Sequence, residues 1–244
     1  MPSLTEDFVK EIERRILTGQ WPLRMRIPTS RELAEEFMVS RSVINAGISE
    51  LCNNGYLQTV PRKYICVSNW KETGGFALLR GMMDNGLWDV QFFDDIFESR
   101  MNTGKATAIK AAAARTEEDL IRLRSAIDRE KTCRTAQEKA IADREFHSAI
   151  AAASHNIIYT IMHNNFTSLA DSLALEFYEK LDNYDFIIDL HEKIYEAIRA
   201  RNVAEAERNI ILLLSHGENE LRKWRENLYP KDQLPSQEAP QYTL

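Results

Sequence analysis

The sequence predicts a mainly α protein: an N-terminal winged helix-turn-helix domain with a small β-hairpin wing, followed by a C-terminal all-α bundle of six or seven helices. Three observations predict it. Residues 29–53 read as two short amphipathic helices joined by a tight turn. Two β-prone runs, 56–60 and 64–67, follow Gly55. From Phe76 onward the apolar spacing is helical almost throughout, with no β-rich run longer than a few residues.

The first helix covers residues 5–18, where Phe8, Ile12 and Ile16 fall on one side and Gly19 ends the run. Trp21-Pro22-Leu23 is a turn. Thr29 and Glu32 have capping-box spacing and start the second helix, whose buried side is Leu33, Ala34 and Phe37. Met38 and Val39 break that run, and Ser40 caps a third helix. It buries Val43, Ile44, Ile48 and Leu51 and leaves Arg41, Ser42 and Asn45 on the opposite face.

Trp70 to Gly75 reads as a linker because paired glycines interrupt both periodicities. Helices then follow at about 76–84, 88–101, 105–114, 117–131, 134–153, 157–180, 185–201 and 203–227. The breaks fall at Asn85-Gly86, Gly104, Thr116, Thr132, Ser154, Asp182-Asn183 and Asn202. Domain boundaries are therefore expected at 1–69 for the winged domain, 70–75 for the linker, 76–229 for the helical domain and 230–244 for a frayed tail with Pro230, Pro235 and Pro240.

Composition narrows the function classes. The chain has 244 residues, enough for two modest domains, and no run long and apolar enough to span a membrane. The N-terminus is acidic and amphipathic rather than a signal peptide, which leaves the cytoplasm as the default location. Cys52, Cys66 and Cys133 are unclustered and odd in number, as expected of reduced thiols and not of a disulfide framework or a Cys-rich zinc site. Net charge is −6, but residues 1–70 carry 9 Lys and Arg against 8 Asp and Glu, so about −7 lies in the remainder. Arg24, Arg26, Arg31, Arg41, Arg62 and Lys63 gather around the helix-turn-helix and wing, and local placement decides phosphate binding more than the total does.

The third helix is of a kind that enters a DNA major groove. Arg41 can fork onto guanine or a phosphate, and Asn45 can pair with adenine. Ser42 and the capped amide end at Ser40 can hold a phosphate oxygen. The alternative is an ordinary helical hairpin with solvated polar positions. The string from Ile27 through Ser30-Arg31-Glu32-Leu33-Ala34 to Ser40-Arg41 resembles the signature of the GntR family of bacterial transcription regulators, over roughly residues 5–67. That resemblance implies Arg31, Ser40, Arg41 and Ser42 as DNA contacts. Asn45 stands where the family usually has Arg, and Pro61-Arg62-Lys63 lacks the family's wing glycines, so Arg62 and Lys63 are expected to grip phosphate.

In the helical half, Asp143 and His147 are one turn apart and share a helix face, from which both can reach a metal; His191 from a facing helix would be a third ligand. The alternative is a helix-surface pair and a hydrogen-bonded His. Asp143-Arg144-Glu145-Phe146-His147, Ala153-Ser154-His155-Asn156 and His191-Glu192-Lys193-Ile194 resemble the FCD type of ligand-binding domain of the FadR subfamily, over roughly residues 88–220. Residues 67–74 and 215–218 are similar to the fatty-acyl-CoA-responsive FadR type.

The resemblance implies a divalent metal (Zn, Ni or Mn) with a fourth ligand at Leu213, which cannot serve; His216 lies one turn later, displaced by about 5 Å. It also places Arg100 in the effector pocket, where a guanidinium would fork onto a carboxylate or phosphate. The alternative is a surface pair with Glu98 or Asp94. Asn156 could line the pocket or cap the helix beginning at Ile157.

Three functions are thus in play. The first is a homodimeric, ligand-responsive transcription regulator whose operator affinity responds to a small acidic metabolite, an acyl-CoA or a carboxylate, with no membrane partner. The second is a metal-dependent enzyme using Asp143, His147 and His191, for which no base motif, phosphate loop or nucleophile signature is evident. The third is a helical interaction module with the winged domain as adaptor.

Overall fold

Ser3, Thr29, Thr116 and Thr135 each accept a hydrogen bond from the amide three residues on, and each receives an acidic side chain back onto its own amide. The helices after them start with two otherwise orphaned donors satisfied. A computed structural model describes residues 3–85, 90–181 and 183–228. The expected tail, 230–244, lies outside the described residues. The chain divides into two units, Met1–Phe93 and Asp94–Leu244.

The first unit holds α1 (Leu4–Leu17), α2 (Ser30–Phe37), α3 (Arg41–Asn53), β1 (Leu57–Val60), β2 (Tyr64–Val67), α4 (Trp70–Thr73) and α5 (Phe76–Asp84). Between α2 and α3 the backbone turns at Met38, whose φ of 54° is left-handed. The strands pair antiparallel from Leu57 opposite Val67 to Val60 opposite Tyr64, leaving residues 61–63 as the wing tip. Residues 24–27 run along the other edge of β2, where the Ile27 amide donates to the Ile65 carbonyl at 3.0 Å and the Val67 amide donates to Met25 at 2.9 Å. Phe8, Ile12, Leu33, Ile44 and Leu51 are buried in one core, each side chain contributing about 1.5–3 kcal/mol.

α1 lies so close to α3 that a Cβ on Gly47 would strike the Phe8 ring. Gly47→Ala is therefore expected to destabilise this unit by about 1–3 kcal/mol through overpacking, although alanine favours the helix. A lowered thermal midpoint checks this; an unchanged midpoint would mean the Phe8 ring moves aside freely.

The structure differs from the sequence reading at the end of this unit. Residues 70–73 are helical where a linker is expected, and α5 packs with the winged core instead of opening the bundle. The reason is local packing. Leu78 is buried with Tyr56 and Leu57, and Gly81 sits directly against the Tyr56 hydroxyl. Gly55, at φ 83°, brings the Thr73 carbonyl close; Ser68 and Thr73 hydroxyls both donate to the Gly55 carbonyl.

The second unit is built from α6 (Val90–Ala114), α7 (Glu117–Glu130), α8 (Ala136–Ala153), α9 (Ile157–Lys180), α10 (Tyr184–Arg199) and α11 (Val203–Leu228), with α6 starting in the first unit. α8 packs between α7 and α9, and α10 packs against α11 and α7. Leu123, Ile127, Phe146, Ile194 and Ile198 form the centre of its core. One expected break is absent. α6 runs through Gly104, because a Cβ there would meet Leu214 Cδ1 at 2.6 Å. That glycine admits α11; it does not end a helix.

Candidate functional site

Two surfaces carry the residues singled out by sequence. On the first, Ser40 caps α3 by accepting from the Val43 amide at 3.4 Å, and its hydroxyl lies 2.7 Å from that of Ser42. Arg41, Ser42 and Asn45 are exposed on that helix. Among the described residues no ion pair or side-chain hydrogen bond occupies Arg41, Arg62 or Lys63. Arg31 is exposed on α2 and paired with Glu35 at 2.9 Å. An ion pair so exposed contributes little and gives way readily to a phosphate. The Arg26 guanidinium lies 5.7 Å from the Tyr64 ring centre, beside the wing. Asn45 is linked to α2, its Oδ1 accepting from the Ser30 hydroxyl at 2.7 Å.

The second surface is internal. One face of α8 presents Asp143 and His147, with His147 Nε2 3.7 Å from Asp143 Oδ1. From α10, His191 Nε2 lies 3.7 Å from the same oxygen. One donor atom from each of the three residues falls within 4.8 Å of the others. His191 is fully buried, and its Nδ1 bonds to both oxygens of Glu130, at 2.8 and 2.9 Å. The Phe146 ring stacks on it at 4.0 Å. A carboxylate only accepts, so Nδ1 donates to Glu130, while Nε2, turned toward Asp143, is buried without a hydrogen-bond partner. A ligating His donating its other nitrogen to a carboxylate is the usual support of a metal site.

The electrostatics agree. Burial alone raises the Asp143 pKa, but the His147, His191 and Arg100 side chains around it outweigh that and hold the carboxyl below its ordinary range. Burial pushes His147 down to about 3 and His163 down to about 4, so both rings are neutral bases. Burial also raises Glu130 and drives Tyr178 well above the usual phenol value. The donors present, two imidazoles and a carboxylate, fit a divalent ion such as Zn, Ni or Mn. Leu213 is buried in the core and offers no donor. His216 packs its ring 4.8 Å from Phe186 and does not join the three-residue set.

Arg100, half-buried on α6, lies near enough for its charge to bear on Asp143, His147 and His163. Among the described residues no ion pair joins Arg100 to Glu98 or Asp94, the alternative partners; Asp94 pairs with Arg222 at 2.5 Å. Asn156 caps α9, its Oδ1 accepting from the Ile158 amide at 3.0 Å, and among the described residues no contact ties it to the cluster. Sequence reasoning missed three members. Glu130 lies 61 residues from His191 and carries no local signal. Tyr178, on α9, bears on the Asp143 carboxyl and helps hold its pKa down. His163 lies 6.2 Å from His147, its Nε2 held by Ser148 and Thr167 at 3.1 and 3.2 Å.

Comparison with known proteins decides the family. The profile of bacterial regulatory proteins of the gntR family matches residues 4–67, and the FCD domain profile matches residues 95–216. The chain belongs to the gntR family. This GntR regulator joins a DNA-binding helix-turn-helix domain to an FCD ligand-binding domain, and is a transcription regulator, not an enzyme. Similar along nearly its whole length are the fatty acid metabolism regulator proteins of Shewanella sp. strain ANA-3 and Shewanella oneidensis, each 23% identical over 95% of this chain and 93% of theirs. Two solved structures share the fold. They are Lar, which controls expression of the Listeria monocytogenes agr system (TM-score 0.62, 14% identity, 91% of this chain and 98% of that one), and E. coli McbR/YncC (TM-score 0.51, 17% identity, 92% and 99%). No helix among the described residues of the GntR regulator is long and apolar enough to cross a membrane.

Proposed function

We propose that this regulator binds a near-palindromic operator as a homodimer, each α3 in a major groove. We further propose that a small organic acid, held with a divalent ion in the FCD domain, sets its affinity for DNA. Operator symmetry would mirror the protein's two-fold symmetry. Arg31, Ser40, Arg41, Ser42, Asn45, Arg62 and Lys63 would contact DNA. Arg41, Arg62 and Lys63 are exposed and have no ion-pair partner among the described residues, which supports that assignment. Its working compartment is then the one that holds the chromosome, the bacterial cytoplasm.

The observation that carries the effector assignment is the buried His191 Nε2, unpartnered and aimed beside Asp143 while Glu130 fixes the other nitrogen. Asp143, His147 and His191 would hold the ion, whose charge offers a carboxylate a ligand position. Arg100 would fork onto the acid's oxygens. DNA and effector then influence each other by the same factor in both directions.

Native mass spectrometry of the purified protein, with metal analysis, tests this. The expected result is a dimer carrying one divalent ion per protomer. Chelation is expected to lower the thermal midpoint of the C-terminal unit, since a ligand present at a hundred times its Kd stabilises by about 2.7 kcal/mol. His191→Ala should abolish both effects. A second reading is an acyl-CoA effector, favoured by the similarity, over 95% of the chain, to regulators of fatty acid metabolism. A mass increment of acyl-CoA size with no metal would establish that reading in place of the first.

A further inference from the structure

We infer that Ser30 fixes the hydrogen-bonding direction of Asn45, so that Asn45 reads a base edge whose polar atoms only accept, guanine or thymine, in preference to adenine, which pairs its acceptor with a donor. The inference rests on the DNA-binding reading above and deepens it.

Asn45 lies four residues after Arg41 on α3, so the two side chains share the face offered to DNA. It is exposed. An asparagine is ambidextrous: its oxygen accepts and its nitrogen donates. Its pairing with adenine uses both at once, the oxygen taking a proton from N6 and the nitrogen giving one to N7. That pairing requires both atoms to face outward.

Here they do not. Ser30, half-buried at the start of α2, donates its hydroxyl proton to Asn45 Oδ1 at 2.7 Å. The carbonyl is thereby turned back toward α2. What remains for DNA is Nδ2 with its two protons, for which the described residues provide no partner. Guanine presents O6 and N7 as acceptors in the major groove, and thymine presents O4. Cytosine presents a donor, which a second donor cannot satisfy, and adenine loses the half of its contact that needs the oxygen.

The geometry that aims the amide is held on both sides. The Thr29–Glu32 capping box fixes the start of α2, where Ser30 is the first helical residue, and Ser40 caps the helix carrying Asn45. The two residues are 15 apart in sequence and meet only because α2 packs on α3. Ser30 is thus a positioning residue and Asn45 the reader.

Selection of a randomised DNA duplex library on the full-length protein, followed by sequencing, tests the inference. Wild type is expected to enrich guanine or thymine at one position of each half-site, by roughly five- to tenfold over adenine. Asn45→Ala should lose preference at that position alone. Ser30→Ala, which leaves the Thr29 cap in place, should free the Asn45 oxygen and shift the same position toward adenine. Ser30→Thr, which keeps the hydroxyl, should behave as wild type. Circular dichroism melts confirm that each variant folds. Wild type enriching adenine there, or Ser30→Ala keeping the wild-type base, overturns the inference while leaving DNA binding intact. If wild type enriches no sequence at all, the DNA-binding reading itself falls, and this one with it.

Discussion

Arg41→Ala is expected to weaken operator binding by roughly a hundredfold or more. A guanidinium forked onto guanine contributes about 1–3 kcal/mol of discrimination, and a homodimer loses the contact in both half-sites. The side chain is exposed and has no partner among the described residues, so its removal costs the protein's own stability almost nothing. Fluorescence anisotropy with a duplex selected by the wild-type protein measures the loss. Lys63→Ala serves as the contrast. A wing-tip phosphate contact should weaken all sequences alike and reduce the salt dependence by about one ion per site. Were Arg41→Ala to bind within twofold of wild type while remaining folded, α3 would not be the reading element.

The second large effect is expected at Glu130. Glu130→Ala removes a fully buried carboxylate and leaves the Nδ1 proton of His191 without an acceptor. An orphaned buried donor costs about 1–3 kcal/mol, and the cavity adds to it, so a loss of about 2–4 kcal/mol from the C-terminal unit is expected. Glu130→Gln separates support from charge. Its amide oxygen can still accept from Nδ1, which should recover most of the stability. It cannot reproduce the carboxylate's polarising of the ring, so divalent-ion affinity should still fall about 10- to 100-fold. Urea unfolding gives the first quantity and competition with a chromophoric chelator the second. Metal affinity unchanged in Glu130→Gln would remove the carboxylate from any role beyond packing.

The winged domain was legible because its signals are local. Thr29 and Glu32 are three residues apart, Ser40 caps the residues that follow it, and the wing runs flank a single turn. Each instruction is read within one turn of chain. The cluster of Asp143, His147 and His191 was half legible: Asp143 and His147 share a turn, but their meeting with His191 depends on how α8 and α10 pack. Glu130, on a third helix, could not be read at all. Gly104 and residues 70–75 misled for a common reason. Glycine permits a turn, but it also permits close packing, and sequence alone does not say which. At Gly104 the neighbour is Leu214, far along the chain. The bond between Ser30 and Asn45 belongs to the same class, since two ordinary polar residues acquire a direction only when their helices meet.

The docking of α5 onto the winged core has a practical consequence for anyone who wishes to express the DNA-reading half by itself. A fragment ended at residue 69, where the composition suggests a seam, would strip away Leu78 and leave Tyr56 and Leu57 facing solvent. Such a polypeptide should be sticky and prone to precipitate. Ending it just past Asn85 keeps that lid in place, and is the cut from which a well-behaved, independently stable half is to be expected.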